Sequence, residues 1–305
     1  MKRGFSLKLE NLKRKPQTFS LRKFMKKVFV VILNYCVAEL TIKSALSVKK
    51  STYKNTEIIV VDNNSGDEIG EKLKDFPEVE FIPSKENLGY SGGNNLGIKK
   101  ALLNGADYIF ILNSDATVES GAIASLVEEA EKGAGELIGP KILFTESKTI
   151  WYAGGIFDRN NVIGKHRGVD EKDEGQYDKT EETDYITGAA LFVKRDVFEK
   201  IGLLDEKYFL YYEDSDFCFR AKRAGFKVLF VPKALVYHEN AQSTGLGSPL
   251  QDYYITRNRM LFASKFLPLR TRFALLREAL RNFGNPIRRK ALADFLTCKF
   301  GKGDI

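Results

Sequence analysis

YIFILNSDATV, residues 108–118, is the segment from which the architecture of this chain follows. Its apolar run stops abruptly at Asn113-Ser114-Asp115, and such a run predicts a strand that is buried on both faces. A carboxylate just past the carboxyl end of such a strand lies where open α/β sheets form their ligand crevices. We therefore expect Asp115 to hold a divalent cation against a phosphate group. The alternative is that Asp115 caps a helix near residue 119, although Thr117 and Glu119 lie closer to that start.

Strand-like and helix-like stretches alternate on both sides of this segment, which is typical of a mostly parallel sheet with helices on both faces. The predicted strands are 28–35, 56–65, 79–83, 108–112 and 136–140, and the predicted helices are 38–50, 67–75, 91–104 and 119–132. Three of the strands end in polar residues, at Asn34, Asp62 and Asn113. Because the carboxyl ends of parallel strands lie at one edge of a sheet, we expect these residues to form one site.

Two further motifs point to a phosphate-bearing ligand at this edge. Asp62 can accept hydrogen bonds from a nucleobase or a ribose hydroxyl, with a helix cap or an Asx-turn as the alternative. Asp67 is the more natural cap for the next helix, which leaves Asp62 for a ligand. NLGYSGGNNLG, residues 87–97, opens a helix with glycines that either let backbone N–H groups approach a phosphate or form a tight structural turn.

The second half of the chain supplies two candidate groups for chemistry. His238 ends the apolar strand KVLFVPKALVYH and is the best candidate for a second metal ligand, although a lone histidine is more often a surface or core residue. Glu213, Asp214 and Asp216 precede basic residues in YYEDSDFCFRAKR. The i, i+4 spacing of Asp216 and Arg220 predicts a structural ion pair. Glu213 and Asp214 remain for chemistry, with Asp214 as a general base or as part of an acidic helix start.

Charge is unevenly distributed along the 305 residues. Residues 1–27 carry ten Lys and Arg residues and one acidic residue, a net charge of +9. Residues 257–305 carry twelve and three, again +9, and because the whole chain carries +8, residues 28–256 carry −10. An acidic body between two basic ends predicts a cation-using catalytic domain whose ends meet an anionic surface, with solvated tails as the alternative.

These shifts in composition divide the chain into domains. We expect a basic leader at 1–27, either disordered or a membrane-surface helix, and a globular body at 28–256 with halves at 28–140 and 141–256. A basic amphipathic helical segment follows at 257–305, as a membrane-surface element or an ordinary packing element. One helical face of that segment carries Leu269, Phe273, Leu276, Leu280 and Phe283.

Two loops and the cysteines complete the pattern. The charged stretch 169–184 predicts an exposed loop, and the Gly/Ser-rich stretch 239–249 predicts a flap. Cys36, Cys218 and Cys298 lack metal-ligand spacing, so we expect them to be unpaired, as in a reducing compartment. No apolar run approaches the roughly 20 residues of a membrane-spanning helix. We expect a cytoplasmic protein, soluble or peripheral on the inner face of the cell membrane.

In order and spacing, these pieces resemble an inverting glycosyltransferase of family 2, in particular its rhamnosyltransferase-like members. The matching segments are VVILNYC (30–36), VVDNNSGD (60–67), NLGYSGGNNLG (87–97), LNSDATV (112–118), the stretch 187–228 and VYHE (236–239). The resemblance implies a GT-A fold, a nucleoside-diphosphate sugar donor linked to UDP or dTDP, Mg²⁺ or Mn²⁺ as cofactor, and a glycan or lipid-linked acceptor.

The resemblance also implies roles for the matching positions. Asp214 would be the catalytic base beside Glu213, and Asp115 with His238 would hold the metal. Gly188 and Ala189 would lie at the acceptor face. The donor would be bound by Asn34, Asp62, Asn64, Gly89, Asn94, Asn95, Asn113 and Arg257. Among these, Asp62 would contact the nucleobase and Arg257 would offset the charge of the diphosphate.

The chain departs from the family pattern in two places. Asn113 replaces the first acidic residue of the DxD-type motif, which leaves Asp115 as its only carboxylate. QDYYITRNR, residues 251–259, lacks the tryptophan of the Gln-x-x-Arg-Trp signature of processive synthases, so we expect transfer of single sugars. The expected function is metal-dependent transfer to an acceptor hydroxyl in cell-surface polysaccharide or glycolipid synthesis.

Rival functions remain at this point. An incomplete DxD motif allows a catalytically inactive protein that only binds sugar nucleotides. The pI near 9.1 allows a nucleic-acid-binding protein, but the acidic body and the lack of a stacking platform of aromatic residues at the basic ends argue against nucleic acid as the partner. A protein, rather than a glycolipid or polysaccharide, is a further candidate acceptor.

Overall fold

The structure is a computed structural model that describes residues 25–145, 147–239 and 247–305. Most of the expected leader at 1–27 lies outside the described residues, and so do residues 240–246 of the expected flap.

In the first half of the chain, every strand and helix expected from the sequence is present. The elements are β1 (Val28–Asn34), α1 (Ala38–Lys49), β2 (Thr56–Asp62), α2 (Ile69–Lys72), β3 (Val79–Pro83), α3 (Gly89–Leu103), β4 (Tyr108–Asn113), β5 (Ala116–Val118), α4 (Ala122–Glu131) and β6 (Leu137–Phe144). A single 3₁₀ turn, Leu73–Asp75, continues α2. The short strand β5 was not expected, and it becomes important for the site.

Short strands and helices alternate irregularly in the second half. The elements are β7 (Ile150–Tyr152), β8 (Gly155–Asp158), β9 (Ile163–His166), β10 (Glu181–Glu182), β11 (Ala190–Lys194), α5 (Arg195–Ile201), α6 (Glu213–Arg223), β12 (Val228–His238), α7 (Pro249–Phe266), α8 (Leu269–Arg281) and α9 (Pro286–Leu296). Helices α7 and α9 each begin with proline, and the side chains of Ser248 and Asn285 cap them.

One large sheet joins both halves in the order β10-β12-β6-β11-β4-β1-β2-β3. Strands β4, β1, β2 and β3 are parallel to their neighbours in this run, and β11 pairs antiparallel with β4 and with β6. The expected α/β class with a mostly parallel sheet is therefore confirmed. The boundary expected at residue 140 falls within β6, so the two proposed halves share this sheet.

Strand β4 lies at the centre of the sheet and is buried on both faces, as its apolar sequence predicts. Ile109 and Ile111 pack in one core, which also contains Ile98 of α3. Tyr108, Phe110 and Leu112 pack in a second core on the opposite face, between the sheet and helices α1 and α4. Burial on both faces leaves the carboxyl end of β4 as the place where polar groups can meet solvent.

Helix α3 packs unusually close to the sheet because two glycines face it. A Cβ atom on Gly93 would lie 2.4 Å from Leu33, and one on Gly97 would lie 2.4 Å from Val31. Both distances are too short for any larger residue. These glycines of the 87–97 motif therefore serve helix–sheet packing.

The carboxy-terminal helices pack on the body through a face that the sequence did not single out. Helix α8 buries Thr271, Leu275 and Ala279, whereas Leu269 and Phe273 of the predicted stripe are 64% and 67% exposed. Within the described residues, no helix has both the length and the apolarity needed to cross a membrane.

The loop at 169–184 is largely exposed, as expected, and one buried lysine ties it to the sheet. Lys141 of β6 has a side chain only 4% exposed and forms ion pairs with Asp173 and Asp178 at 3.0 and 2.6 Å. All three cysteines are free thiols, with Cys218 buried and the other two exposed.

Candidate functional site

A cavity of about 420 Å³ opens at the carboxyl edge of the sheet, where the polar strand ends were expected to meet. Leu33 at the end of β1, Asn63 after β2 and Asn113 at the end of β4 line it. Asp115 lines it as well, and so does Lys302 from the carboxy-terminal segment. The cavity is large enough for a small-molecule ligand and has both apolar and polar walls.

Asp115 and His238 come together because β5 pairs antiparallel with the end of β12. His238 lies opposite Ala116 in this pairing, and the N–H of Glu239 donates to the carbonyl of Asp115 at 2.9 Å. Oδ1 of Asp115 lies 3.2 Å from Nε2 of His238, and the two side chains are only 11% and 6% exposed. The structure therefore brings together two residues that are 123 positions apart in the sequence.

The donor set of this pair fits a divalent cation that is shared with a substrate. Among the described residues, no group of three or more His, Cys, Asp or Glu side chains is placed to hold a metal. Mg²⁺ commonly binds through one or two carboxylates and takes its other ligands from water and substrate phosphates. Asp115 and His238 would hold the ion from the protein side, and a diphosphate in the cavity would complete its shell.

Trp151 supports the ring of His238. The two rings stack with centroids 4.4 Å apart and planes inclined at 21°. Trp151 also contacts His166 edge to face, with ring centroids 4.3 Å apart. Burial lowers the pKa of His166 to about 4, so the ring of His166 is neutral near pH 7. Stacking of this kind restricts the orientation of His238.

Glu213 and Asp214 begin α6 after a strained loop. Three residues before or at the helix start have positive φ although none is glycine: Phe209 at 62°, Tyr211 at 67° and Tyr212 at 75°. Such conformations cost about 1–3 kcal/mol each and persist only where surrounding contacts impose them. The predicted ion pair of Asp216 with Arg220 is confirmed at 2.6 Å.

The protonation of the acidic pair follows from burial and from hydrogen bonds. Burial raises the pKa of Asp214, against hydrogen bonds from the backbone N–H of Gly188 and from Ser215 that favour its ionised form. Burial, and then the charge of Asp214, raise the pKa of Glu213 well above its usual value. Glu213 is 6% exposed, and its Oε2 accepts no hydrogen bond from a described residue. The hydrogen bonds to Asp214 therefore favour its ionised form, and burial beside the charge of Asp214 favours the neutral form of Glu213.

A short relay of contacts links the cavity to the acidic pair. Tyr90 lines the cavity, and its hydroxyl donates to the carbonyl of Gly188 at 2.5 Å. The N–H of Gly188 donates to Oδ2 of Asp214 at 3.0 Å. The N–H of Asn113 donates to the carbonyl of Ala189 at 2.9 Å. Gly188 and Ala189, expected at the acceptor face, thus lie between the end of β4 and Asp214.

Arg257 does not line the cavity, which corrects the expectation that it faces a diphosphate. Its side chain is fully buried and donates to the carbonyls of Lys207, Tyr208 and Gly301. Asn258, also fully buried, donates to the carbonyls of residues 208, 210 and 211. Together they hold the strained loop before α6 and join it to the carboxy-terminal segment.

Asn34 and Asp62 form a network of their own beside the cavity. Asn34 is fully buried, and its amide donates to Asp62 and Asp67 at 3.1 Å, which corrects its expected contact with the donor. Asp62 is half-buried and accepts a hydrogen bond at 3.3 Å from the N–H of Ser65, three residues on, whereas an Asx-turn would use the N–H two residues on. Asn64 is exposed, with φ 59°. A contact of Asp62 or Asn64 with a nucleobase stays a prediction.

The glycine loop does not present free N–H groups to a ligand. The N–H of Gly89 donates to the side chain of Asn87 at 2.8 Å, and that of Tyr90 donates to the carbonyl of Phe209 at 2.6 Å. Gly89 lines the cavity, has φ +71° and would place a Cβ 2.4 Å from the carbonyl of Phe209. The loop is therefore a tight turn that fits against the strained segment, which is the second of the two roles expected for it.

Asn94 and Asn95 lie inside the body and not on the cavity wall, which corrects their expected place in the donor pocket. Each is 1% exposed. The amide of Asn95 donates to the carbonyl of Leu204 and its carbonyl accepts from the N–H of the same residue, and the amide of Asn94 donates to the carbonyl of Tyr90.

Several residues of the cavity were missed from the sequence. Tyr35 follows β1 and is 45% exposed, and Asn63, Asn87 and Tyr254 join it in the lining. An aromatic residue directly after a strand end was a usable signal for Tyr35. Lys302 carried no such signal, because only the folded path of residues 301–305 brings it to the cavity.

The raised pKa of Glu213 predicts a pH-dependent gain in stability for Glu213→Gln. A carboxyl whose pKa is raised in the folded state stabilises the fold below its unfolded pKa, and this contribution is lost as pH rises through the folded pKa. Glutamine does not ionise, so the variant gains stability over the parent as pH rises. We expect the variant to have a higher Tm than the parent at pH 8 and nearly the same Tm at pH 4. Each kcal/mol gained in the free energy of unfolding raises Tm by about 2–4 °C. Thermal unfolding at both pH values measures this, and a gain at pH 4 as large as at pH 8 would contradict it.

Comparison with known proteins identifies relatives of the whole body. Residues 28–202, more than half of the chain, match the model of the family described as glycosyl transferase family 2. The low-salt glycan biosynthesis hexosyltransferase Agl10 of Haloferax volcanii is 29% identical over 236 residues, which cover 76% of this chain and 74% of that relative. The dTDP-rhamnosyl transferase RfbF of Shigella flexneri is 25% identical over an alignment that covers 78% of this chain and 80% of that relative. An N-acetylglucosaminyl-diphospho-decaprenol L-rhamnosyltransferase of Mycobacterium tuberculosis is 27% identical, with 65% of this chain and 71% of that relative aligned.

Solved structures with the same fold include two glycosyltransferases in complex with nucleotides. GalNAc-T7 with UDP, GalNAc and Mn²⁺ superposes with a TM-score of 0.59 at 19% identity over 77% of this chain, which spans 51% of that structure. The mannosyltransferase PcManGT of Pyrobaculum calidifontis, with GDP-Man and Mn²⁺, superposes with a TM-score of 0.56 at 14% identity. The superposition covers 91% of this chain and 76% of that structure. At these identities the likeness concerns the fold, and the expected GT-A fold is confirmed.

Proposed function

The chain belongs to glycosyl transferase family 2 and is a glycosyltransferase of glycan or polysaccharide synthesis, and from this premise we propose that it transfers single sugars, with inversion, from a nucleoside-diphosphate sugar to an acceptor hydroxyl. The relatives named for rhamnosyl transfer support a hexose or deoxyhexose as the sugar. One of them is named for a diphospho-decaprenol acceptor, which supports a lipid-linked acceptor here.

The observation that carries the proposal is the pairing of Asp115 with His238 at the wall of the cavity. Oδ1 of Asp115 and Nε2 of His238 lie 3.2 Å apart, and Asp115 lines a space of about 420 Å³ at the edge of the sheet where α/β folds bind nucleotides. The neighbours solved with Mn²⁺ and a nucleotide support Mg²⁺ or Mn²⁺ as the cofactor. A divalent ion on this pair, when bound, supplies Lewis-acid stabilisation of the leaving diphosphate.

In the proposed reaction, the acceptor hydroxyl attacks the anomeric carbon from the face opposite the diphosphate. An alkyl hydroxyl is a weak nucleophile near neutral pH, so a base must take its proton as the new bond forms. Asp214 takes that proton, because its hydrogen bonds keep the negative charge of the acidic pair on it and burial raises its pKa. Glu213 stays protonated beside it. The Gly188-Ala189 segment holds the acceptor between Asp214 and the end of β4.

On the donor side, we propose that Asn113 and Gly89 contact the nucleotide from the cavity wall and that Asp62 and Asn64 reach the nucleobase. Tyr35 offers an exposed ring at the same edge of the cavity. We also propose that residues 28–256 carry the catalytic groups and that the basic helical segment 257–305 packs on them, since α7 runs across the expected boundary from Pro249 to Phe266 and Lys302 lines the cavity.

Thermal unfolding with a panel of nucleotide sugars tests the proposal. UDP-, dTDP- and GDP-linked sugars are added with Mn²⁺, and we expect one nucleotide series to raise Tm by several degrees. A ligand at 100 times its Kd stabilises the folded state by about 2.7 kcal/mol. The same nucleotide sugar should shift Tm less when EDTA replaces Mn²⁺. No shift with any of the three series would contradict donor binding.

We further propose that α8 contacts an anionic membrane at the cytoplasmic face. Four of the five residues of the predicted apolar stripe are exposed: Leu269 and Phe273 at 64% and 67%, and Leu280 and Phe283 at 56% and 47%. The fifth, Leu276, packs against the core. The neighbouring residues on the exposed side are Arg270, Arg277 and Arg281. Exposed aromatic and aliphatic side chains beside arginines are typical of helices that lie in the interface of an anionic bilayer.

Vesicle flotation tests the membrane contact. The protein should float with vesicles that contain phosphatidylglycerol and not with vesicles of phosphatidylcholine alone. The double variant Phe273→Asp/Leu280→Asp should lose flotation, since both side chains would have to enter the bilayer. Leu103→Asp is the control, because Leu103 of α3 is 83% exposed and lies outside the stripe. Equal flotation of the parent and the double variant would rule out this contact.

A further inference from the structure

A nucleotide sugar bound in the cavity would need a cation in addition to a divalent ion. The diphosphate of a nucleotide sugar and Asp115 together carry more negative charge than one divalent ion neutralises, and the leaving diphosphate gains further charge as the glycosidic bond breaks. Arg257 was expected to meet this need from the sequence, but its guanidinium is fully buried and occupied by backbone carbonyls.

Lys302 is the one residue with a positive charge among the described residues that line the cavity. Its side chain is exposed and forms no ion pair with any described residue. Lys302 is thus the free cation that the described cavity offers to an anionic ligand.

The backbone on both sides of Lys302 is anchored. The N–H of Gly301 donates to the carbonyl of Lys207 at 2.8 Å, and its carbonyl accepts from Arg257 at 2.8 Å. The N–H of Gly303 donates to the hydroxyl of Tyr254 at 2.9 Å. These bonds fix the course of the segment over the cavity.

Glycine is required on each side of Lys302 for that course. Gly301 has φ +78°, a conformation that favours glycine, and a Cβ on Gly303 would lie 2.4 Å from the ring of the buried Tyr253. The sequence Gly-Lys-Gly at 301–303 therefore presents one lysine from a backbone that larger residues could not form.

We propose that Lys302 binds the diphosphate of the donor, and that residues 301–303 are a built part of the donor site. The proposal rests on the proposed function, because it assigns the ligand of the same cavity. It moves the role expected of Arg257 to Lys302, while Arg257 holds the segment in position by its bond to Gly301.

Calorimetric titration with UDP, dTDP or GDP, whichever binds the parent protein with Mn²⁺, tests the proposal against the matching nucleoside monophosphate. Lys302→Ala should raise Kd for the diphosphate by about tenfold, the usual effect of losing a charge-assisted hydrogen bond. Kd for the monophosphate should change much less. Lys302→Arg should keep most of the affinity. Lys299→Ala is the matched control, because it removes the same charge from an exposed residue that does not line the cavity.

A second variant, Gly303→Ala, keeps the lysine but displaces its backbone from the buried ring of Tyr253, and we expect the same loss of diphosphate affinity together with a lower Tm. If Lys302→Ala binds the diphosphate as tightly as the parent, the role of Lys302 is overturned while the proposed function stands. If the parent itself binds none of UDP, dTDP and GDP with Mn²⁺, both the role of Lys302 and the proposed function fail.

Discussion

Asp214→Asn lowers kcat by about 10²–10⁴-fold, the usual contribution of a positioned general base. Asparagine keeps the size of the side chain and an acceptor oxygen for the N–H of Gly188, but it cannot take a proton from the acceptor hydroxyl. The loss should therefore appear in turnover, while Kd for the nucleotide stays within about threefold of the parent value. Release of nucleoside diphosphate, measured with saturating donor and acceptor, gives kcat.

The control for this prediction is Asp196→Asn, which makes the same substitution at an exposed residue of α5. It should leave kcat unchanged. The pH dependence gives a second check. Because burial raises the pKa of Asp214, activity should fall as pH decreases through a pKa above the usual range of aspartate. Turnover near the parent value in Asp214→Asn would remove Asp214 from the role of base.

Asp115→Ala raises Kd for the nucleoside diphosphate in Mn²⁺ by at least about 10–100-fold. Loss of residues that only support a metal ligand commonly costs this much in metal affinity, and loss of the single carboxylate should cost no less. Calorimetry with Mn²⁺ measures the effect. In EDTA the parent and the variant should bind alike, since the carboxylate then has no ion to hold. Equal affinity of the two proteins in Mn²⁺ would contradict the metal assignment.

The sequence predicted the sheet well because its signals are local. Strand β4 is a continuous apolar run and is buried on both faces, and polar residues after β1, β2 and β4 meet at one edge. His238 was the best candidate for a second metal ligand because it ends an apolar strand, and the resemblance strengthened that prediction. Spacing alone did not bring the two together, because the contact is made by the three-residue strand β5, which is too short to give a sequence pattern.

The errors share a physical cause, which is that a sequence motif does not tell which way a polar group points. Asn34, Asn95 and Arg257 belong to segments of the resemblance, yet each is buried and bonded within the protein. The amide of Asn34 holds the side chains of Asp62 and Asp67, whereas Asn95 and Arg257 satisfy backbone carbonyls. Lys302 shows the opposite case, a cavity residue that the sequence did not predict. Nothing in the local sequence marks it, and the folded path of a distant part of the chain places it at the cavity.

One measurement tests the central claim, that Asp115 and His238 hold a divalent ion together with a nucleoside diphosphate. Trp151, the only tryptophan of the chain, stacks on His238, and its fluorescence should report a paramagnetic ion held there. Mn²⁺ is titrated in the presence of UDP, dTDP or GDP, with Mg²⁺ as the non-quenching control. We expect Mn²⁺ to quench the fluorescence of Trp151 saturably in the parent protein, and we expect this quenching to be lost in Asp115→Ala. Quenching that never saturates, or that is the same in both proteins, would contradict the claim.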